Sequence, residues 1–217
     1  MCFFRDFNEH GRFVKSLNAS FLVLIPKKGG VEDLKDFRLI SFVGSLYKLL
    51  AKVLTDRLKK VVGKVVSCSQ NAFVEGRQIL DASLIVNEAI DFLLKSNAYG
   101  LICKLHIGKI YDHVNWNFLL PVLNQMGFGE KWIRWIKWCI STMSFLVFVN
   151  SSPSVFFGSS RGLRQGNPLF SYLFVIVMKA LSCLLKRAKI GGFLLGWWVR
   201  GRGGGEGGGD FFTFVIC

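Results

Sequence analysis

The 217 residues are 51% hydrophobic and carry 28 Lys and Arg against 14 Asp and Glu, a formal net charge of +14. So much apolar material excludes a disordered chain and supports one sizeable domain or two small ones, while cations spread along the chain favour a partner that carries phosphates. The six cysteines, at 2, 68, 103, 139, 183 and 217, lie too far apart for a CxxC or Cys/His zinc site and read as reduced thiols of an intracellular protein, nuclear or cytoplasmic.

The opening "MCFFRDFNEHGR" mixes both charges early and lacks the order of a signal peptide. "SFLVLIPKKGG", 20–30, predicts a strand closed by Pro and Gly that feeds a basic loop. Over 44–66 the apolar residues Leu46, Leu49, Leu50, Val53, Leu54, Leu58, Val61 and Val62 follow helical spacing, with Lys48, Lys52, Lys59 and Lys60 elsewhere on the wheel, so a basic amphipathic helix is expected. A second helix fits 78–96, and "GLICKLHI" reads as a strand. "NWNFLLPVLNQMGFG" and "EKWIRWIKWCIS" predict two short helices split at Gly127 to Gly129, although Pro121 inside the first costs on the order of 3 kcal/mol.

Further on, "FLVFVN" and "SVFFGSS" read as a hairpin with "SSP" in the turn, and "RGLRQGNP" as a loop whose Asn167 N-caps a helix that begins at Pro168. The apolar run of 168–185 is cut by Lys179 after about ten residues, too short to span a bilayer, so no membrane partner is expected. "GRGGGEGGGD" near the end is low-complexity glycine. Strands alternating with helices predict an α+β or α/β fold.

Six blocks, "LIPKKGG", "FRLISFVGSLYKLLAKVLTDRLKKVV", "SQNAFVEGRQILDA", "KLHIGKIYDHVNW", "GFGEKWIRWIKWCIS" and "SSRGLRQGNPLFSYLFVIVM", follow one another from about residue 10 to residue 200. In that order they resemble the reverse transcriptase domain of plant LINE-type (non-LTR) retrotransposons. The resemblance implies an α+β right-hand polymerase fold with fingers and palm present and the thumb absent. It divides the chain into a lead-in at 1–19, a fingers-like region at 20–100, a palm-like region at 101–200 and a degenerate glycine-rich tail at 201–217. The partners it implies are RNA or an RNA/DNA hybrid and deoxynucleotides.

Site residues follow block by block. A lysine after the "LIP" strand and the arginine of the family's "FRPIS" block hold the triphosphate, and Lys27 or Lys28 and Arg38 match them here; ammonium and guanidinium groups suit phosphate oxygens. Leu39 replaces the family's proline and is expected to loosen that loop. Gln165 matches the residue beside the incoming nucleotide and template, with Gly166 allowing close backbone approach. The family resembles "QGDPLSPYLF" there, and this chain has Asn167 for the aspartate. Tyr111 matches the aromatic that screens the sugar 2′ position, and Asp112 a structural aspartate near the site.

The family's "KLDIEKAYDHVNW" has a metal-binding aspartate where this chain has His106. The family polymerises with two magnesium ions about 3.5–4 Å apart that want carboxylate oxygen, and a neutral imidazole does not bridge them. Set against the family's "FADDTLVFC", the tail "GDFFTFVIC" puts Phe211 and Phe212 on the other two aspartates. His106, Phe211 and Phe212 are therefore the substituted catalytic positions, and neither a metal site nor bound magnesium is expected. The expected outcome is a truncated, degenerate domain, surviving as an inactive polymerase, a nucleic-acid-binding remnant, or a translated relic without selected function.

Overall fold

The computed structural model describes residues 2–30, 32–66, 70–95, 109–149, 152–164 and 166–193. Its helices and strands alternate as α1 Cys2–His10, β1 Ala19–Pro26, β2 Phe37–Val43, α2 Ser45–Val65, α3 Ile79–Lys95, α4 Trp116–Gln125, α5 Glu130–Ser141, β3 Ser144–Val149, β4 Ser152–Pro153, β5 Phe157–Gly158 and α6 Pro168–Ile190. The chain divides into two units, Met1–Arg57 with Ile110–Phe170, and Leu58–Lys109 with Ser171–Cys217. Helices α2 and α6 each begin in the first and continue into the second.

The first unit is built on a mixed sheet of order β2-β1-β3-β4, with β5 also paired to β3. Strand β1 runs antiparallel to β2, with Ile25 opposite Arg38 and Phe21 opposite Phe42, and parallel to β3, with Ser20 opposite Phe145. Strand β2 was not anticipated from the sequence. Leu39 stands inside it opposite Leu24, half exposed, so the leucine sits in a ladder and does not loosen a loop. The anticipated hairpin after β3 returns in two pieces, because Ser152 and Pro153 pair with Val149 and Phe148 instead of forming the turn.

Helix α2 forms where the periodicity predicts, but its buried stripe is turned by about one position. Tyr47, Leu50, Ala51, Leu54, Leu58 and Val62 are buried, whereas Leu46, Leu49, Val53 and Val61 are exposed. Spacings of three and four put the first set on one face of a 3.6-residue repeat, and tyrosine won a core position that hydrophobicity alone assigned to its neighbours. Helix α1 docks through Phe7, whose ring lies 4.6 Å from Phe13 and 5.7 Å from Trp135 on α5, while Trp135 Nε1 donates to the Phe7 carbonyl. Helix α4 runs through Pro121, which is exposed, because Leu119 and Leu123 on either side are fully buried and hold the helix together.

In the second unit Val62, Val66, Val74 and Val175 form a small core with Tyr172 against it. Helix α6 is long and apolar enough to cross a membrane by length and composition, so Lys179 does not shorten the run as expected. Leu173, Phe174, Val175, Ile176 and Met178 on it are buried. The strand expected over "GLICKLHI", 100–107, lies outside the described residues, as does the glycine-rich tail.

Candidate active site

Two sequence-distant segments of the first unit meet where the family blocks predict a site. Residues Ile110–His113 form a single 3-10 turn, and the chain then enters α4, whose N-cap is Asn115 with its side chain accepting from Asn117 N. Against this turn lies the loop before α6. Gly162 N donates to the Val114 carbonyl at 2.8 Å, Leu163 N to the Tyr111 carbonyl at 2.8 Å, and Trp116 Nε1 to the Gly162 carbonyl at 2.7 Å. Gly162 has φ +88°, and a Cβ there would stand 2.9 Å from the Asp112 carbonyl oxygen, so only glycine permits the approach. Tyr111 is half-buried and Asp112 exposed.

Gly166 also has a positive φ, +80°, with nothing within 4 Å of where a Cβ would be. Its glycine meets a backbone requirement and leaves open space beside the loop. Asn167 caps α6 as expected, its Oδ1 accepting from Leu169 N at 3.0 Å, and its Nδ2 donates to the Tyr47 hydroxyl at 3.1 Å.

Beneath the loop, sequence reasoning missed a buried polar cluster. Arg164 Nη2 donates to the backbone and side-chain oxygens of Asn18 at 2.9 and 2.8 Å, and its guanidinium lies 5.0 Å from the Tyr47 ring centre and 5.6 Å from that of Phe145. Asn18, fully buried, donates through Nδ2 to the Cys139 carbonyl and to Thr142 Oγ1, both at 2.9 Å. Burial raises the Tyr47 hydroxyl well above its usual range and pushes the Cys139 thiol up to about 12, so both are neutral at pH 7. Burial also pulls the Arg164 guanidinium down, but its ordinary value is high enough that it keeps its proton at neutral pH. The signal available was a cation following Leu163 inside a glycine-bearing loop; Asn18 offered none.

The anticipated phosphate-binding cations Lys27, Lys28 and Arg38 occupy the other end of β1. Lys27 Nζ donates to the Lys35 carbonyl at 2.8 Å and Lys28 pairs with Asp36 at 3.3 Å, folding the basic loop on itself. That exposed pair contributes about 0–1 kcal/mol, so both ammonium groups are available to a stronger acceptor. Arg38 is exposed and forms no ion pair among the described residues. A cavity of about 490 Å³, lined by Leu17, Ala19, Phe21, Leu46 and Phe156 with three serines, contains none of the anticipated site residues. It opens at the Ala19 end of the eight-residue strand β1, roughly 23 Å along the strand from Pro26 at about 3.3 Å per residue.

His106, Gln165, Phe211 and Phe212 lie outside the described residues. Among the described residues no three His, Cys, Asp or Glu side chains cluster.

The first unit thus combines a mixed sheet, a basic loop after β1, and a turn and glycine loop locked together. The profile of the reverse transcriptase (RNA-dependent DNA polymerase) family matches residues 25–196, and the chain belongs to that family. It is 29% identical over 183 residues to the transposon TX1 uncharacterized 149 kDa protein of Xenopus laevis, covering 84% of this chain and 14% of that protein. It is 27% identical over 169 residues to the retrovirus-related Pol polyprotein of the type-1 retrotransposable element R2 of Popillia japonica, covering 75% and 23%. It is 25% identical over 187 residues to the corresponding Nasonia vitripennis polyprotein, covering 86% and 18%. The chain thus spans less than a quarter of each of these relatives, and relatedness to non-LTR retrotransposon proteins is established.

Proposed function

We propose that this chain is the fingers and palm of a degenerate LINE-type reverse transcriptase, of plant-element type, which binds RNA or an RNA/DNA hybrid and deoxynucleotides but does not polymerise. The observation that carries the reading is His106, standing where the family pattern has its metal-binding aspartate. An imidazole offers one neutral nitrogen where two hard cations need bridging carboxylate oxygen. Phe211 and Phe212 in the tail register agree with that loss.

Binding is the part of the ancestral activity that the remaining residues support. Arg38 offers an unpaired guanidinium at the start of β2, and Lys27 and Lys28 are held only by a carbonyl and an exposed ion pair. Gly166 has nothing within 4 Å of where a Cβ would stand, with Gln165 beside it in sequence. A net charge of +14 draws polyanions by a long-range, salt-screened attraction, consistent with a nuclear or cytoplasmic polymerase remnant.

The test is single-nucleotide addition on a pre-annealed primer with magnesium or manganese. The unmodified chain and His106→Asp alone are expected to add nothing, because one restored carboxylate still leaves two phenyl rings at the other family positions. Incorporation by the unmodified chain above a heat-killed control overturns the inactive reading. A titration showing no binding of hybrid even at low salt overturns the binding reading.

A further inference from the structure

Arg164 is 4% exposed, yet among the described residues it has no carboxylate partner and its Nε and Nη1 make no hydrogen bond. Burying an unpaired guanidinium is unfavourable, and an apolar side chain of similar volume would serve the core better, so stability alone does not account for it. What it holds does. Its Nη2 is caught between the two oxygens of Asn18, and Asn18 is in turn fixed to the C-terminal end of α5 through the Cys139 carbonyl and Thr142. Its flat face lies on Tyr47. Three residues on, Asn167 donates to the hydroxyl of that same tyrosine. Arg164 and Asn167 therefore rest on one buried side chain of α2, while Gly162 N and Leu163 N pin the approach to the 111–114 turn. Gly166 keeps its positive φ with open space beside it.

We propose that Arg164 is a positioning residue: together with Asn167 it holds the loop at Gly166 on Tyr47 so that Gly166 faces the nucleotide, without Arg164 touching phosphate. The proposal rests on the nucleotide-binding reading above for what Gly166 faces, but the anchoring is tested separately from it.

The full-length chain and its Arg164→Lys, Arg164→Gln, Asn18→Ala and Arg38→Ala variants are compared by hydrogen exchange at Gly162 and Leu163, and by titration of an RNA/DNA primer–template with a 5′ overhang at several salt concentrations. Lysine keeps the charge but lacks the flat face, so Arg164→Lys is expected to speed exchange at both amides and weaken hybrid binding, each about tenfold. The salt slope stays at the wild-type value, since no phosphate contact is lost. Asn18→Ala, altering a residue 146 positions away from Arg164 in sequence, moves exchange in the same direction. Arg38→Ala does the opposite: exchange unchanged, and a salt slope smaller by about 0.9.

Arg164→Lys matching the wild type in exchange and affinity overturns the proposal, as does a reduced salt slope in Arg164→Gln. If neither Arg164 variant folds, folded Asn18→Ala with unchanged exchange at 162–163 overturns it. A wild-type chain that binds no hybrid removes the nucleotide-binding reading, while the exchange measurements still decide whether Arg164 anchors the loop.

Discussion

Replacing Gly162 by alanine tests whether the 111–116 turn and the loop before α6 are one device. At φ +88° an added Cβ meets the Asp112 carbonyl oxygen at 2.9 Å and the Asp112 Cα at 3.1 Å, both backbone atoms that cannot rotate away. A left-handed alanine by itself costs about 1–2 kcal/mol. To relieve the contact the segments must part, loosening three hydrogen bonds, Gly162 N to Val114, Leu163 N to Tyr111 and Trp116 Nε1 to Gly162, each worth about 1 kcal/mol net. The chain takes whichever route is cheaper, so the expected loss is about 2–4 kcal/mol. Two glycines calibrate it. Gly166→Ala, with φ +80° and no neighbour within 4 Å, reports the backbone strain alone, and Gly29→Ala, open and without a positive φ, reports neither effect. In urea unfolding followed by circular dichroism, Gly162→Ala should exceed Gly166→Ala by at least about 1 kcal/mol. Equal losses in the two variants would refute the claim that contact with Asp112 restricts this position.

Three further outcomes follow from the packing. Pro121→Ala, at an exposed interior position of α4, restores a helical donor and should stabilise the fold by about 1–3 kcal/mol in the same unfolding assay. Asn167→Ala removes the cap of α6 and the bond to Tyr47, and should cost about 1–2 kcal/mol. Because burial raises the Cys139 thiol from 9.0 to about 12, its contribution is fully present below pH 9 and is lost as pH rises from 9 towards 12, by on the order of 4 kcal/mol; Cys139→Ala should flatten that part of the stability-versus-pH curve.

What was readable in the sequence was local. The 3.6-residue repeat located α2 and α3, Gly127 to Gly129 separated α4 from α5, and Asn167 followed by Pro168 marked the start of α6. The failures were tertiary. No short-range pattern distinguishes Tyr47 from Leu46 or Leu49 as the buried member of its helix, because the choice is made by Arg164, Cys139 and Asn167 more than ninety positions away. Strand β2 was overlooked because its seven residues "FRLISFV" alternate weakly and lie beside charged residues. Of the anticipated site, Tyr111, Asp112 and Gly166 fall on segments that bond to or flow from one another, whereas Lys27, Lys28 and Arg38 share the far end of β1 with its partner strand. The roles of Gly162 and Trp116 in joining these segments depend on a backbone approach that no motif spells out.

The sheet of the first unit has a consequence for the order of events on the ribosome. Strand β1 has β2 on one side and β3 on the other, and β3 begins at Ser144, more than a hundred residues after Val43 closes β2. A nascent β1-β2 pair therefore emerges with one flank of β1 bare. At about 5–20 residues per second, the stretch from Val43 to Arg164 takes roughly 6–24 s to synthesise, and until it ends Asn18 has no guanidinium to bind. Throughout that interval the aromatic pair of Phe21 and Phe42 offers an open edge to any other extended chain nearby, so the yield of folded protein should fall when translation is slowed and rise when the lysate is diluted or a holdase chaperone is supplied.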